Sequence, residues 1–284
     1  MKKSRWINGI TFALILAAYA YFLLTLKQTG VTDLVASHYV LLPLLLVVSV
    51  IVQFIKATRM YIIMIDTGLS YADNLRRYSE TTIINIVTPF KVGELYRIFL
   101  YGRVIGNYAG GIVRVLTDRL IDTAALLTFL TVLLVVKGTA VLPLYLFLLA
   151  VFVLLMAVWL AFPSVYRFWN DYLIAQKHSA RAVRVLKVLS DANGAYQYLR
   201  KLIRGRLFVM YVLSLLAWGL ELIGVYALTS FYHENVSSQI AAYLNSTLTA
   251  ANSEHQKLYA LCYLVVLALM LLFALILKRR RSAK

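Results

Sequence analysis

Six stretches of the 284-residue chain are continuously apolar, at residues 7–26, 38–55, 117–136, 140–162, 207–230 and 258–277. Each approaches or reaches the ~20 residues that a helix needs to cross a ~30 Å hydrocarbon core. None shows the residue-by-residue alternation of a barrel strand. The pattern predicts an all-α integral membrane protein, a helical bundle of about six full spans.

Between the second and third runs the pattern changes. Two apolar segments, TTIINIVTPF at 81–90 and LYRIFLYG at 95–102, are each too short to span. Short Pro/Gly-interrupted segments of this kind are typical of helices that dip into the bilayer and return. A re-entrant helical hairpin over about residues 81–110 is therefore expected, with its turn near Thr88-Pro89. Thr88 reads as the N-cap of its second arm and Pro89 as the first helical residue. Residues 60–72 read as a short interfacial helix. In 163–206, Val183, Leu186 and Leu189 alternate at helical spacing with Arg181, Arg184 and Lys187, so cytoplasmic amphipathic helices lying on the leaflet are expected there. The polar, Asn/Ser-rich stretch 231–257 suits an extracytoplasmic loop. No repeat or ordinary linker interrupts the chain, so residues 1–284 read as a single polytopic membrane domain.

Composition supports the membrane assignment. Charged residues make up 14% of the chain and its mean hydropathy is +0.77, whereas soluble domains carry roughly 25% charged residues. The net charge of +17 is distributed unevenly. The N-terminal tip, the 56–80 loop, the 163–206 segment and the C-terminal tail together hold 21 Lys and Arg residues, and the alternate loops hold 3. This bias places both termini and both long basic loops on the cytoplasmic side of a cell membrane that the chain crosses several times. Basic loops beside anionic lipid account for the charge, and no nucleic-acid partner is expected. Cys262, the one cysteine, sits in an apolar run and reads as a packing residue. The N-terminal run lacks a small-x-small cleavage pattern before Lys27 and reads as a retained span.

The unusual feature is charge inside the apolar runs. Glu94, Asp118, Asp122 and Glu221 lie within or beside them. A charge at bilayer depth costs at least ~2.5–3.5 kcal/mol, so such groups face the bundle interior and pair. Glu94–Arg97 and Arg119–Asp122 are i,i+3 pairs. Glu221 has no partner within its own helix, so its partner comes from elsewhere or it is protonated. Lys91, in the first turn of the second hairpin arm, would join free backbone N–H groups in an anion site suited to a lipid phosphate. Gly93 would permit close approach, and Arg97 and Arg119 would add phosphate contacts. Asp118 and Asp122 match a D-x-x-x-D pattern, but no second acidic motif accompanies them and Arg119 intervenes, so no metal or other cofactor is expected.

These residues carry a family resemblance. The order Asn85…Pro89…Gly93-Glu94…Arg97, then Arg119…Asp122, then Trp218…Glu221 resembles the lysylphosphatidylglycerol synthase transmembrane family. Members of that family include the flippase domain of the multiple peptide resistance factor. The resemblance implies a helical bundle with re-entrant segments that moves a phospholipid or polyprenyl-linked lipid between leaflets. It implies substrate-binding roles for Lys91, Glu94, Arg97, Arg119, Asp122 and Glu221. Asn85, Thr88, Pro89, Gly93 and Trp218 would be structural members of the motif. In the fused family members a soluble synthase domain makes the lipid. The sequence stops at Lys284 without one, so a transporter and not an enzyme is expected. No P-loop is present, so ATP is not expected to drive transport directly. The expected partners are membrane lipids with anionic headgroups, with a homo-oligomer or a synthase partner left open. The alternatives are a non-catalytic membrane partner of an envelope lipid or glycan synthesis enzyme, and a membrane transferase.

The charge bias gives a direct test of topology. In a Cys262→Ser background, Ser4→Cys and Ser282→Cys should both react with an impermeant maleimide only from the cytoplasmic face. Labelling of either from the opposite face would overturn the predicted orientation.

Overall fold

The computed structural model describes residues 39–88, 92–137, 142–176, 180–231, 236–249 and 254–282. Among the described residues the regular structure is wholly helical. The elements are α1 (Leu42–Met64), a 3₁₀ turn (Ile65–Thr67), α2 (Tyr71–Val87), α3 (Val92–Ile105) and α4 (Tyr108–Lys137). They continue with α5 (Leu142–Gln176), α6 (Ala180–Phe231), α7 (Val236–Thr249) and α8 (Glu254–Ser282). Among the described residues four segments are long and apolar enough to cross a membrane: Leu42–Thr67, Leu142–Ala175, Arg204–Phe231 and Lys257–Leu277. The predicted span at 117–136 lies inside α4. The one predicted at 7–26 lies outside the described residues.

Several boundaries differ from the sequence expectation. Residues 56–64 are not loop; they continue α1, because Lys56 and Arg59 interrupt the apolar run without breaking its helical period. The interfacial helix expected at 60–72 is instead the end of α1 and the 3₁₀ turn, closed by Gly68 at φ +68°, a left-handed conformation that glycine adopts without strain. Ser70 then starts α2, its Oγ accepting from the Asp73 amide at 3.2 Å and donating to the Asp73 carboxylate at 2.9 Å. Pro163 lies within α5, which runs on to Gln176. Residues 180–206 are not a separate amphipathic helix. They are the first half of α6, which is 52 residues long and at 1.5 Å per residue has a contour of ~78 Å, more than twice the bilayer core. The length of α6 places much of its basic half, from Arg181 to Arg206, beyond what a span requires.

The chain divides into two compact units. The first takes residues up to 57, 70–97 and 220–284; the second takes 58–69 and 98–219. In the first unit α8 packs along α2 and also meets α7. Leu45, Val52, Leu75, Leu244, Val266 and Leu267 are buried there. Polar bonds also hold α2 to α1: the Asn74 amide donates to the Ala57 carbonyl at 3.0 Å, and the Tyr78 hydroxyl donates to Gln53 at 3.0 Å. In the second unit α4 packs on α5, and Ile63, Ile121, Leu199 and Met210 form a buried cluster. The apolar window of α5 is only 6% buried, so most of this helix presents hydrocarbon to its surroundings.

Two close approaches depend on missing side chains. A Cβ at Gly93 would collide with the backbone of Asn85, so α3 starts hard against the end of α2. A Cβ at Gly111 would lie 2.8 Å from the Gly102 backbone, where α4 folds back on α3. We expect Gly93→Ala to cost ~1–3 kcal/mol through overpacking. Gly194→Ala, where a Cβ meets nothing within 4 Å, should be neutral or stabilising, since alanine is the better helix former. Thermal unfolding of both variants in detergent distinguishes the two; equal melting temperatures would refute the close packing at Gly93.

Candidate functional site

The first charged cluster lies on the hairpin of α2 and α3. Thr88 ends α2. Its amide and its hydroxyl both donate to the Ile84 carbonyl, the hydroxyl at 2.6 Å, so it closes α2. The backbone N–H groups that an N-cap at Thr88 would bond belong to residues 90 and 91, outside the described residues. Pro89 and Lys91 lie outside the described residues. Arg97 is 2% exposed. It makes the expected pair with Glu94 at 3.4 Å, and it donates across the hairpin to Thr82 at 3.0 Å and to Thr81 at 3.3 Å. Its guanidinium also stands over the Tyr78 ring at 5.4 Å, within cation–π range. One arginine thus ties the two arms together, with Asn85 and Gly93 forming a second close contact between them.

The second cluster surrounds Glu221, which is 2% exposed in α6. Its partner does come from elsewhere. The Lys56 ammonium of α1 donates to Oε1 at 2.5 Å, the Tyr263 hydroxyl of α8 donates to the same oxygen at 2.7 Å, and the Tyr243 hydroxyl of α7 donates to Oε2 at 3.3 Å. The Tyr259 hydroxyl donates to the Glu221 main-chain carbonyl at 3.1 Å. It lies in the space left by the absent side chain of Gly224. Burial, and next the Glu221 charge, push the Tyr243 phenol well above its ordinary range, so it stays a donor. Trp218, one turn before Glu221 on α6, is buried.

The third cluster, in the second unit, centres on a residue that the sequence reading left in a loop. Arg59 of α1 is 2% exposed. Its Nε donates to Asp118 at 2.7 Å, and its Nη1 donates to Asp122 and, at 2.6 Å, to Ser214 of α6. Arg119 does meet Asp122, but at 3.8 Å, and it meets Asp118 at 3.5 Å, with its side chain 37% exposed. The intrahelical pair read from spacing is therefore the outer, weaker part of the cluster, and Arg59 is its core. In the pairs described, Arg59 and Arg119 both face Asp118 and Asp122. The D-x-x-x-D oxygens hold a guanidinium, and a metal there would have to displace a buried cation. Among the described residues no group of three or more His, Cys, Asp or Glu side chains could hold a metal ion.

Arg59, Lys56, Thr81, Thr82, Ser214, Tyr243 and Tyr263 carry no site role in the expectation drawn from the sequence. A signal existed for two of them. Lys56 and Arg59 are one turn apart, and Met60-Tyr61-Ile62-Ile63-Met64 resumes the apolar run, which a loop has no reason to do. The others are neutral residues whose partners are distant in sequence.

The chain matches, over residues 7–253, the family model described as the lysylphosphatidylglycerol synthase TM region. No curated protein and no solved structure matches it.

Removing one member of a buried ion cluster strands the others, at a typical cost of ~3–5 kcal/mol. Arg59→Met should therefore destabilise the protein strongly in detergent unfolding, because it leaves Asp118 without its 2.7 Å partner. The triple variant with Asp118→Asn and Asp122→Asn should recover most of that loss. No recovery in the triple variant would mean that Arg59 contributes packing and not charge.

Proposed function

Because the chain belongs to the lysylphosphatidylglycerol synthase transmembrane-region family, we propose that it is a lipid translocase. It moves a phospholipid or polyprenyl-linked lipid between leaflets through a charged groove and carries out no covalent chemistry. In this reading the bundle has about six spans in the cell membrane, both termini are cytoplasmic, and the α2–α3 hairpin is re-entrant.

The observation that carries the reading is the buried Arg97 of the hairpin, held by Glu94, Thr81 and Thr82. Ion pairs of this kind seldom stabilise a fold, since well-packed apolar residues do as well or better. Their value lies in being exchangeable. A headgroup cannot cross hydrocarbon unaided, for the reason that makes any charge costly there. A phosphate that takes Arg97 from Glu94 replaces one charge-assisted contact of the guanidinium by another, and the displaced Glu94 side chain keeps 19% of its surface open. The threonine hydroxyls and the Tyr78 ring hold the guanidinium in place during the exchange. The lipid tails stay in the bilayer, which the exposed apolar surface of helices such as α5 is suited to contact.

The test is transfer of a tail-labelled phospholipid in proteoliposomes, read by an impermeant quencher. Glu94→Ala and Arg97→Ala should each bring the rate down by about tenfold or more, as expected for the loss of a charge-assisted contact, while retaining helical content and monodispersity. Wild-type rates in both variants would overturn the reading.

A further inference from the structure

The family match and the sequence motif leave Lys56 without a role, yet it makes the shortest contact to Glu221. Resting on the translocase reading above, we propose that Lys56 is a second ligand for the headgroup phosphate, and that Glu221 takes up one proton from water when Lys56 leaves it.

The pair is asymmetric in exposure and in mobility. The Lys56 side chain keeps 19% of its surface open, against 3% for Glu221. The carboxylate is fixed from several sides: Tyr263 and Tyr243 bond its two oxygens, and Tyr259 bonds the main-chain carbonyl in the slot at Gly224. Lysine is a point charge on a flexible four-carbon stem. When the pair opens, the lysine is therefore the member that moves.

Lys56 also lies close to the hairpin site. Gln53 precedes it by one helical turn on α1, a spacing that brings side chains to within ~5–6 Å of each other at Cβ. Gln53 accepts from Tyr78, and the Tyr78 ring lies under Arg97. Two cations thus flank one tyrosine–glutamine pair within the same compact unit.

Charge balance supplies the proton. The groups facing Glu221 are Lys56 from α1, Tyr243 from α7, and Tyr259 and Tyr263 from α8. Lys56 is the cation among them. If its ammonium turns to a phosphate diester, Glu221 is left as a buried carboxylate with phenol donors alone. Such a charge is costly, and protonation removes it. The exchange takes in one phosphate negative charge and one proton, so the site stays neutral. No covalent bond other than the O–H on Glu221 is made or broken.

The experiment is calorimetric titration of purified protein with monomeric short-chain phosphatidylglycerol, in buffers of different ionisation enthalpy. Wild type should take up about one proton per lipid bound. Glu221→Gln should bind more tightly with no uptake, because the competing carboxylate is gone. Lys56→Met alone could fail to fold, because it strands Glu221. The double variant Lys56→Met/Glu221→Gln keeps the site neutral and should bind at least ~10-fold more weakly than Glu221→Gln, the scale of one charge-assisted contact. Equal binding by these two variants, or lipid binding by wild type without proton uptake, overturns this proposal and leaves the translocase reading standing. Inorganic phosphate that binds with the same proton uptake would make the ligand a free phosphate and overturn the lipid assignment. Absence of lipid binding in wild type would remove both readings.

Discussion

A charge withdrawn from water into apolar helices must be neutralised by the protein itself, and these helices are arranged around that requirement. Arg59 joins α1 to α4 and α6 through Asp118, Asp122 and Ser214. Glu221 joins α6 to α1, α7 and α8. Arg97 joins the two arms of the hairpin. The interfaces that carry little charge are made differently, by glycine contacts and by aliphatic clusters such as Ile63, Ile121, Leu199 and Met210. Helices in lipid gain little from burying more hydrocarbon against each other, because the tails are equally apolar. Polar and ionic contacts, together with close approach at glycine, can specify which helix meets which.

The same constraint decides what was legible in the sequence. Apolar run length located the helices that cross or nearly cross the bilayer, because hydrocarbon thickness fixes that length. The charges inside the runs marked Glu94, Arg97, Asp122 and Glu221 as members of buried clusters, because such residues must pair. Local spacing revealed the i,i+3 pairs and nothing beyond them. It could not supply Lys56 as the partner of Glu221 across 165 positions. It also gave too much weight to Arg119, whose contacts are longer than those of Arg59.

The boundary errors share a cause. Lys56 and Arg59 were read as the start of a loop because charges usually end a span. The span expected to end at 162 runs on through Pro163 to Gln176, since proline is tolerated inside a membrane helix when neighbouring groups re-satisfy the freed carbonyl. The Thr88 hydroxyl donates back to the Ile84 carbonyl at the end of α2, a bond that spacing alone does not reveal. Each of these residues has two locally reasonable structures, and tertiary contacts choose between them.

The two cations of α1 show how similar residues are given different tasks. Arg59 presents a planar fork to two aspartates and a serine, and its side chain is 2% exposed. A fork bonded on several sides is difficult to extract, because leaving would take the closest cation from two carboxylates at once. Lys56 bonds the Glu221 carboxylate through one ammonium and is partly open. When it leaves Glu221, one proton can neutralise that carboxylate. The arginine is therefore suited to fixing helices and the lysine to exchange. Swapping the two residue types would put the mobile cation where the helices need anchoring and the rigid one where an incoming anion needs a partner.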